Sequence, residues 1–382
     1  MLIHKALPMI DSQSILKQFL EVTTIPGISC NERQIIDYLK HFLGRLGFGY
    51  CEDKSFQKFD GNAGNLIYKV SKSNSKGKSI LLAAHVDTIT ISCEKPIVKN
   101  DRIISSDDRI LGADDRVGVT VLLEILKLIA HNKIDYPDLE ILFLVGEEVG
   151  MLGSKNLDYS NISAKQGFNF DCSAPVGQVV VQAPTALDFK IRFIGQAAHS
   201  AVAPEKGINA ISMAADTLCK FNLPQKNNNI IFNIGKIQGG TKNNIIPDEA
   251  IVNGEIRSFY QKQVDQYLER INKVTQSVVD GFGGRFEIDH RLRYGSFLLD
   301  EHASVYRIAK TAIEGANKKF VPVHYLAGSD ANIFNQKNIA TINIGLGYVN
   351  NHSANEYILV SDLVKDVEIG AKIVQIAGKM DP

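Results

Sequence analysis

The stretch Ile80-Leu-Leu-Ala-Ala-His85-Val-Asp87 decides how the chain is read. Its first half, Ile80 to Ala84, is an unbroken apolar run, which suits a strand buried on both faces. His85 and Asp87 follow at once. Residues two apart in an extended strand point to the same side, so an imidazole and a carboxylate leave the strand end together. Such a pair can serve a metal ion, with one ring nitrogen on the ion and the other oriented by the carboxylate. A solvated turn after a strand has the same spelling. The choice rests on whether other strand ends supply matching ligands.

They do. Asp138-Leu-Glu-Ile-Leu-Phe-Leu-Val145 is a second buried run, and it ends in Gly146-Glu147-Glu148-Val149-Gly150. Gly167 to Phe170 is a short strand ending in Asp171, and Ala340 to Ile344 leads into a segment that contains His352-Ser-Ala-Asn-Glu356. Leu111-Gly-Ala-Asp114-Asp115-Arg116 precedes an apolar helix expected from Val117 through Ile129. That places Asp114 and Asp115 in its first turn, where the helix dipole favours carboxylates. Strands alternating with helices, with charged residues at the strand ends, make an α/β pattern whose ligands bind beyond the carboxyl ends of the strands.

Further elements fill this frame. Ser12 and Asn31 are candidate caps for two N-terminal helices. Strands are expected over 65–70 and 79–84, joined by a polar turn at 71–78, and a hairpin over 96–105. Around Pro184 the character changes. Leu187 to Ile194 alternates apolar and polar residues, as a half-exposed antiparallel strand does. Further strands at 229–237, 250–258 and 285–293 and helices at 208–218 and 261–279 complete an α+β two-layer sandwich. From about Phe297 the first pattern resumes, with helices at 303–315 and 361–377. The expected organisation is a discontinuous α/β domain, 1–183 and 297–382, interrupted by an inserted domain, 184–296.

Composition bounds the function. The chain has 382 residues, with 42 Lys+Arg against 42 Asp+Glu. A net charge near zero argues for no nucleic-acid and no membrane-surface partner. Five scattered cysteines without CxxC spacing fit reduced thiols in the cytoplasm. The N-terminal residues lack the apolar core of a signal peptide, and no window is long and apolar enough for a membrane span.

His85, Asp87, Asp114, Asp115, Glu147, Glu148, Asp171 and His352 are thus metal-capable residues at strand ends and helix starts. Two imidazoles and several carboxylates suit a pair of zinc-like ions better than one. A water held between two ions becomes a nucleophile near neutral pH. A carboxylate that is not a ligand must then move its proton to the leaving amine, and the Glu147-Glu148 pair offers one residue for each job.

The strings Ala84-His85-Val-Asp87-Thr, Leu111-Gly-Ala-Asp114-Asp115, Gly146-Glu147-Glu148-Val-Gly150, Gly195-Gln-Ala-Ala-His199-Ser, Asn244-Ile-Ile-Pro247 and His352-Ser-Ala-Asn-Glu356 resemble those of the co-catalytic dizinc aminoacylase/carboxypeptidase/peptidase T family. The wording around Asp114-Asp115, Ala203-Pro-Glu-Lys-Gly207 and Gly328-Ser-Asp-Ala-Asn332 is closest to its peptidase T-like branch. The resemblance spans essentially the whole chain. It implies a mixed-sheet zinc-peptidase catalytic domain with a lid and dimerisation domain, and an aminopeptidase of short peptides. It implies His85, Asp114, Glu148, Asp171 and His352 as ligands of two zinc ions (cobalt or manganese being possible), with Asp114 bridging. Asp87 would orient His85, and Glu147 would be the general acid/base. His199 would reach a neighbouring subunit's site in a homodimer. Asn244 and Arg257 would bind substrate, and Gly328 and Ser329 would present backbone to it. Asp115 would not be a ligand, and His131, His290 and His324 match no motif. An N-acyl-amino-acid deacylase or carboxypeptidase of the same family shares the metal set. A non-catalytic binding protein on the same fold would be expected to have lost a ligand or Glu147.

Overall fold

The apolar runs that end in charged residues become neighbours in one sheet. Leu139–Leu144, Ile80–His85, Gln166–Phe170 and Ala340–Ile344 lie side by side, all parallel. Leu66–Val70 and then Tyr50–Glu52 extend this core antiparallel on one side, and Gln178–Ala183 pairs antiparallel with Ala340–Ile344 on the other through Val179 and Val180. The sheet is therefore mixed, as expected. This computed structural model describes residues 10–71, 79–221 and 230–379. The expected turn after Ser71 and the first residue of the strand expected at 229 lie outside them.

Every residue of Ile80–His85 and of Leu139–Leu144 is buried, which explains why they are apolar but for His85 and Glu140. Helices Ser12–Thr23, Arg33–Arg45, Ala113–Ala130, Ser304–Gly315 and Val360–Ala377 bury their apolar stripes with Leu82, Ala84, Ile141, Phe143, Phe168 and Ile342. Leu81, Ala83, Leu142 and Leu144 point the other way, into a smaller cluster with Leu157, Ile162, Phe334 and Ile339. Two cap assignments are corrected. Asp11, one residue before Ser12, caps the first helix by accepting the N–H groups of Gln13 and Ser14. The second helix begins after Glu32 without a side-chain cap, so Asn31 does not serve.

The chain divides into two compact units. One comprises Met1–Val181, Leu298–His324 and Ser329–Pro382; the other comprises Gln182–Phe297 and Tyr325–Gly328. The second unit has a four-stranded antiparallel sheet in the order Ile230–Gly239, Glu249–Ser258, Thr185–Ile194, Arg285–Tyr294. Leu187, Phe189, Ile191 and Phe193 pack with residues of Ala210–Lys220 and Gln261–Phe282, while the intervening Asp188, Lys190 and Arg192 are not buried. That is the two-layer sandwich the period-two pattern predicts. Among the described residues, no helix is long and apolar enough to cross a membrane.

One glycine fixes how closely the long helix approaches the sheet. A Cβ on Gly118 would lie 2.2 Å from the Phe170 carbonyl oxygen and 2.5 Å from an Asp115 carboxylate oxygen. Backbone cannot yield as a flexible side chain can. Gly118→Ala is expected to cost about 1–3 kcal/mol through overpacking, read as a lower midpoint in denaturant unfolding with the slope unchanged.

Candidate metal centre

Each metal-capable side chain arrives from the carboxyl end of a parallel strand or from the turn before a helix. His85 is the last residue of Ile80–His85. Glu147 and Glu148 follow Leu139–Leu144 after Gly146, which has φ +61°. Asp171 follows Gln166–Phe170, and the chain leaving Ala340–Ile344 forms the loop that carries His352. Asp114 comes from the turn after Gly112, whose φ of +81° favours glycine. Asp114 and Asp115 have non-helical backbone angles and a cis peptide between them. Both lie in the first turn of Ala113–Ala130, as expected, but on locally non-helical backbone.

The two oxygens of Asp114 face two different sets of donors. Oδ1 lies 3.1 Å from His85 Nε2, which is itself 3.6 Å from Asp171 Oδ1. Oδ2 lies 3.4 Å from His352 Nε2, which is 2.8 Å from Glu148 Oε1. Donors around one tetrahedral ion with bonds of about 2.0–2.2 Å sit roughly 3.3–3.6 Å apart, so these spacings approach those of a ligand shell. The donor set of imidazoles and carboxylates alone suits zinc, cobalt or manganese. His85, Asp114, Glu148, Asp171 and His352 are therefore brought together and fit a pair of divalent cations.

Asp115 also lies near His85 and Asp171, close enough to complete a three-donor group. Its oxygens are already committed. Oδ2 accepts the His85 N–H at 3.2 Å and Oδ1 accepts the Gly118 N–H at 3.0 Å. Asp115 thus holds backbone and is the poorer candidate for a ligand.

Asp87 does more than stand beside an imidazole. His85 Nδ1 is 3.1 Å from the Asp87 carbonyl and 3.3 Å from its carboxylate. The same carboxylate accepts the N–H groups of Glu147 and Glu148 at 2.9 and 3.1 Å and the Ser29 hydroxyl at 2.7 Å. One buried side chain therefore ties a candidate ligand to the turn that carries two more candidate carboxylates. Asn343 repeats the device, accepting the Asp171 N–H at 3.2 Å. Sequence reading missed Ser29 and Asn343, and also Glu32, which accepts the Gly146 N–H at 2.9 Å. Tyr348 and Asn351, which donate to Asp114, were missed as well. No local pattern marks Ser29 or Glu32. Asn343 was visible only as a polar residue inside an apolar strand.

The concentration of charge shifts proton affinities. Burial disfavours a charged His85, but Asp171, Asp114 and Asp87 outweigh it and hold the ring's pKa well above the usual value. Hydrogen bonds to Asp114 and Glu148 raise His352 to about 10. Burial and the charge of Asp171 push Glu147 well above the ordinary carboxylate range. Burial likewise raises Asp171.

Of the remaining expected residues, Ser329 accepts from Asn343 at 3.1 Å, and the others belong to the second unit. His199 is exposed in the second unit, on a two-residue strand paired with Ile245–Ile246, and the Asn244 carbonyl accepts the Ser200 N–H at 3.1 Å. Those two motifs are neighbours. The Arg257 fork is engaged by Glu255, 3.1 Å from Nε and 2.9 Å from Nη2, and Nη1 donates to the Leu326 carbonyl. A Cβ on Gly328 would lie 2.2 Å from the Tyr294 ring, which accounts for glycine there. Ser329 caps the helix Asp330–Gln336, its N–H bound to Asn332. His131, His290 and His324 are exposed.

Cation uptake is expected to release protons. A histidine binds metal only as the neutral ring. With His352 protonated up to about pH 10 in the metal-free protein, affinity should rise with pH throughout the range below that value. Calorimetric zinc titrations in buffers of differing ionisation enthalpy should show net proton release at pH 7, and a heat independent of buffer would contradict it.

The Peptidase dimerisation domain family of M20 enzymes matches residues 183–280, and Peptidase family M28 matches residues 65–220, which include His85, Asp114, Glu148 and Asp171. The uncharacterized protein YqjE of Bacillus subtilis is 32% identical, over 97% of this chain and 100% of its own. A tripeptidase from Staphylococcus aureus is 31% identical with a TM-score of 0.92, over 98% of this chain and 100% of that one. The aminopeptidase PepT of Bacillus cereus is 30% identical with a TM-score of 0.91, over 97% and 100%. With full-length similarity at this level and the dimerisation domain matched over the second unit, the chain belongs to the peptidase T-like branch of the M20 metallopeptidase family.

Proposed function

We propose that this protein is a dizinc aminopeptidase of short peptides, tripeptides foremost. The observation that carries the reading is the division of Asp114 between two donor sets, with Glu147 beside them and in neither. The similarity to a tripeptidase and an aminopeptidase supports peptide substrates with a free amine.

In this reading His85, Asp114 and Asp171 would hold one ion and Asp114, Glu148 and His352 the other, with cobalt or manganese as alternative metals. The pair of cations would acidify a water between them and polarise the scissile carbonyl. Glu147 takes the proton from the attacking water and passes it to the leaving amine. Asp87 keeps the His85 ring and the Glu147–Glu148 backbone in register, so that base and ligands share one frame. The unit around residues 184–296 acts as lid and dimerisation module. His199, from the partner copy in a homodimer, would supply a positive or hydrogen-bonding group to the developing oxyanion, and Asn244, Gly328 and Ser329 would line the substrate path.

Arg257 bears on the alternative reading, a carboxypeptidase or N-acyl-amino-acid deacylase. A receptor for a substrate carboxylate needs its planar fork open, and here Glu255 fills it. That favours recognition of the free amine.

The deciding experiment offers the zinc-loaded enzyme a tripeptide, its N-acetylated and C-amidated forms, and an N-acetyl amino acid, with a chelator control. Cleavage should need the free amine and tolerate the amide. Preference for N-acetylated substrates with a free carboxylate would replace the aminopeptidase by the alternative. Glu147→Gln should retain both metals by elemental analysis and lose about 10²–10⁴-fold in kcat. Normal turnover in that variant would remove Glu147 from its role.

A further inference from the structure

The loop that carries His352 is closed at its base by Val349 and Tyr357, whose N–H groups and carbonyls exchange hydrogen bonds of 2.9 and 3.1 Å. His352 sits beyond that base with φ +65° and a side chain 43% exposed. Just inside the base lies Glu356, only 1% exposed. Its Oε2 accepts the Gly112 N–H at 2.6 Å, and its Oε1 accepts the Asp114 N–H at 3.0 Å. Both oxygens of a buried carboxylate are thus spent on the main chain that delivers Asp114. The same short segment touches Asp114 twice, at its carboxylate through His352 and at its backbone through Glu356.

We propose that Glu356 is a positioning residue that sets the separation of Asp114 and His352, and through it the affinity of the ion shared by Asp114, Glu148 and His352. This rests on the dimetal reading above. The contacts form a ring: Asp114 N–H, Glu356 carboxylate, the chain from 356 back to 352, the imidazole, and the Asp114 carboxylate. An exposed histidine on a loop loses conformational freedom when it binds an ion. A ring closed beforehand removes part of that cost. Outer residues that orient ligands act in this way.

Glutamate alone suits the place. Glutamine has one acceptor oxygen, and its NH₂ would face one of the two N–H groups. Aspartate is a methylene shorter and does not span both donors from the same backbone. The other half of the centre is held independently, since Asp115 binds the His85 N–H and Asn343 the Asp171 N–H. Asp114 serves both ions, but His352 serves one, so losing Glu356 should weaken the ion of His352 more than the other.

The test compares wild type, Glu356→Gln and Glu356→Asp in cobalt titrations of the metal-free protein, followed by absorption, electron paramagnetic resonance and calorimetry. Both variants should weaken one of two sites by about 10–100-fold and the other by clearly less. Half-loaded Glu356→Gln should then show a single uncoupled ion. Two unchanged sites would overturn the proposal. So would equal weakening of both sites together with a lower melting temperature of the metal-free protein, the signature of a purely structural residue. Should Glu356→Gln not fold, Glu356→Asp, which keeps the charge, carries the same comparison. A wild-type protein that takes up fewer than two ions would instead remove the dimetal reading and this inference with it, whereas a two-ion wild type with symmetric variants sinks the inference alone.

Discussion

Asp87, Asp114, Asp115, Glu147, Glu148 and Asp171 meet at the carboxyl edge of one sheet, and like charges this close cannot all remain ionised without compensation. The rest of the first unit is arranged around that constraint. Imidazoles stand between carboxylates, at His85 against Asp114 and Asp171 and at His352 against Asp114 and Glu148. Main-chain N–H groups are turned onto Asp87 and Asp115. Arg116 is fully buried, and Asp87, Asp115 and Glu32 are the charges that act on it. Its Nη2 donates to the Ile25 carbonyl, while Nε and Nη1 have no hydrogen-bond partner among the described residues. A Cβ on Gly27 would sit 2.7 Å from that Nη2, so the small residue there leaves room for the guanidinium. The negative charge that remains is what a pair of divalent cations would neutralise.

The same donors that balance charge also fix geometry. A backbone N–H bound to a carboxylate cannot drift, so ligands that lie far apart along the chain are held in one frame. The N–H groups of His85, Asp114, Glu147, Glu148 and Asp171 are each taken by a side chain from elsewhere in the chain. Some of these links are long. Gly112 and Glu356 are 244 positions apart, and Asn343 and Asp171 are 172 apart. Strands supply the coarse placement and hydrogen-bonded carboxylates the fine one, which is what a site of defined coordination needs.

The second unit solves a different problem. It has its own core between one sheet face and two helices, and it leaves a charged face where Arg192 meets Glu249 and Glu287 and Arg293 meets Asp188 and Glu255. His199 and Asn244 sit together because short strands pair their motifs. Arg257 is held by a neighbour two residues away on its own strand.

Much of this was legible along the chain, because hydrophobic periodicity is a local property. Largely apolar runs named the buried parallel strands, alternation named the antiparallel ones, and the change near Pro184 separated the two patterns. The period of two put His85 and Asp87 on one side of a strand end, and motif wording pointed to His85, Asp114, Glu148, Asp171 and His352, which lie together in the fold. What sequence left open was every question of partner and direction. Asp114 and Asp115 are chemically identical neighbours, and only the backbone angles at that turn aim one at two imidazoles and the other at the N–H groups of His85 and Gly118. Asp11 rather than Ser12 caps the first helix because the chain geometry there presents its carboxylate to Gln13 and Ser14. Ser29, Glu32, Arg116 and Glu356 carry no local signature of their role, since each acts on a segment distant in sequence. The sequence by itself determined the elements and the kinds of donor; the tertiary structure decided which donors face one another and which hold backbone, because hydrogen bonding and charge depend on distances of a few ångströms that only the assembled sheet brings about.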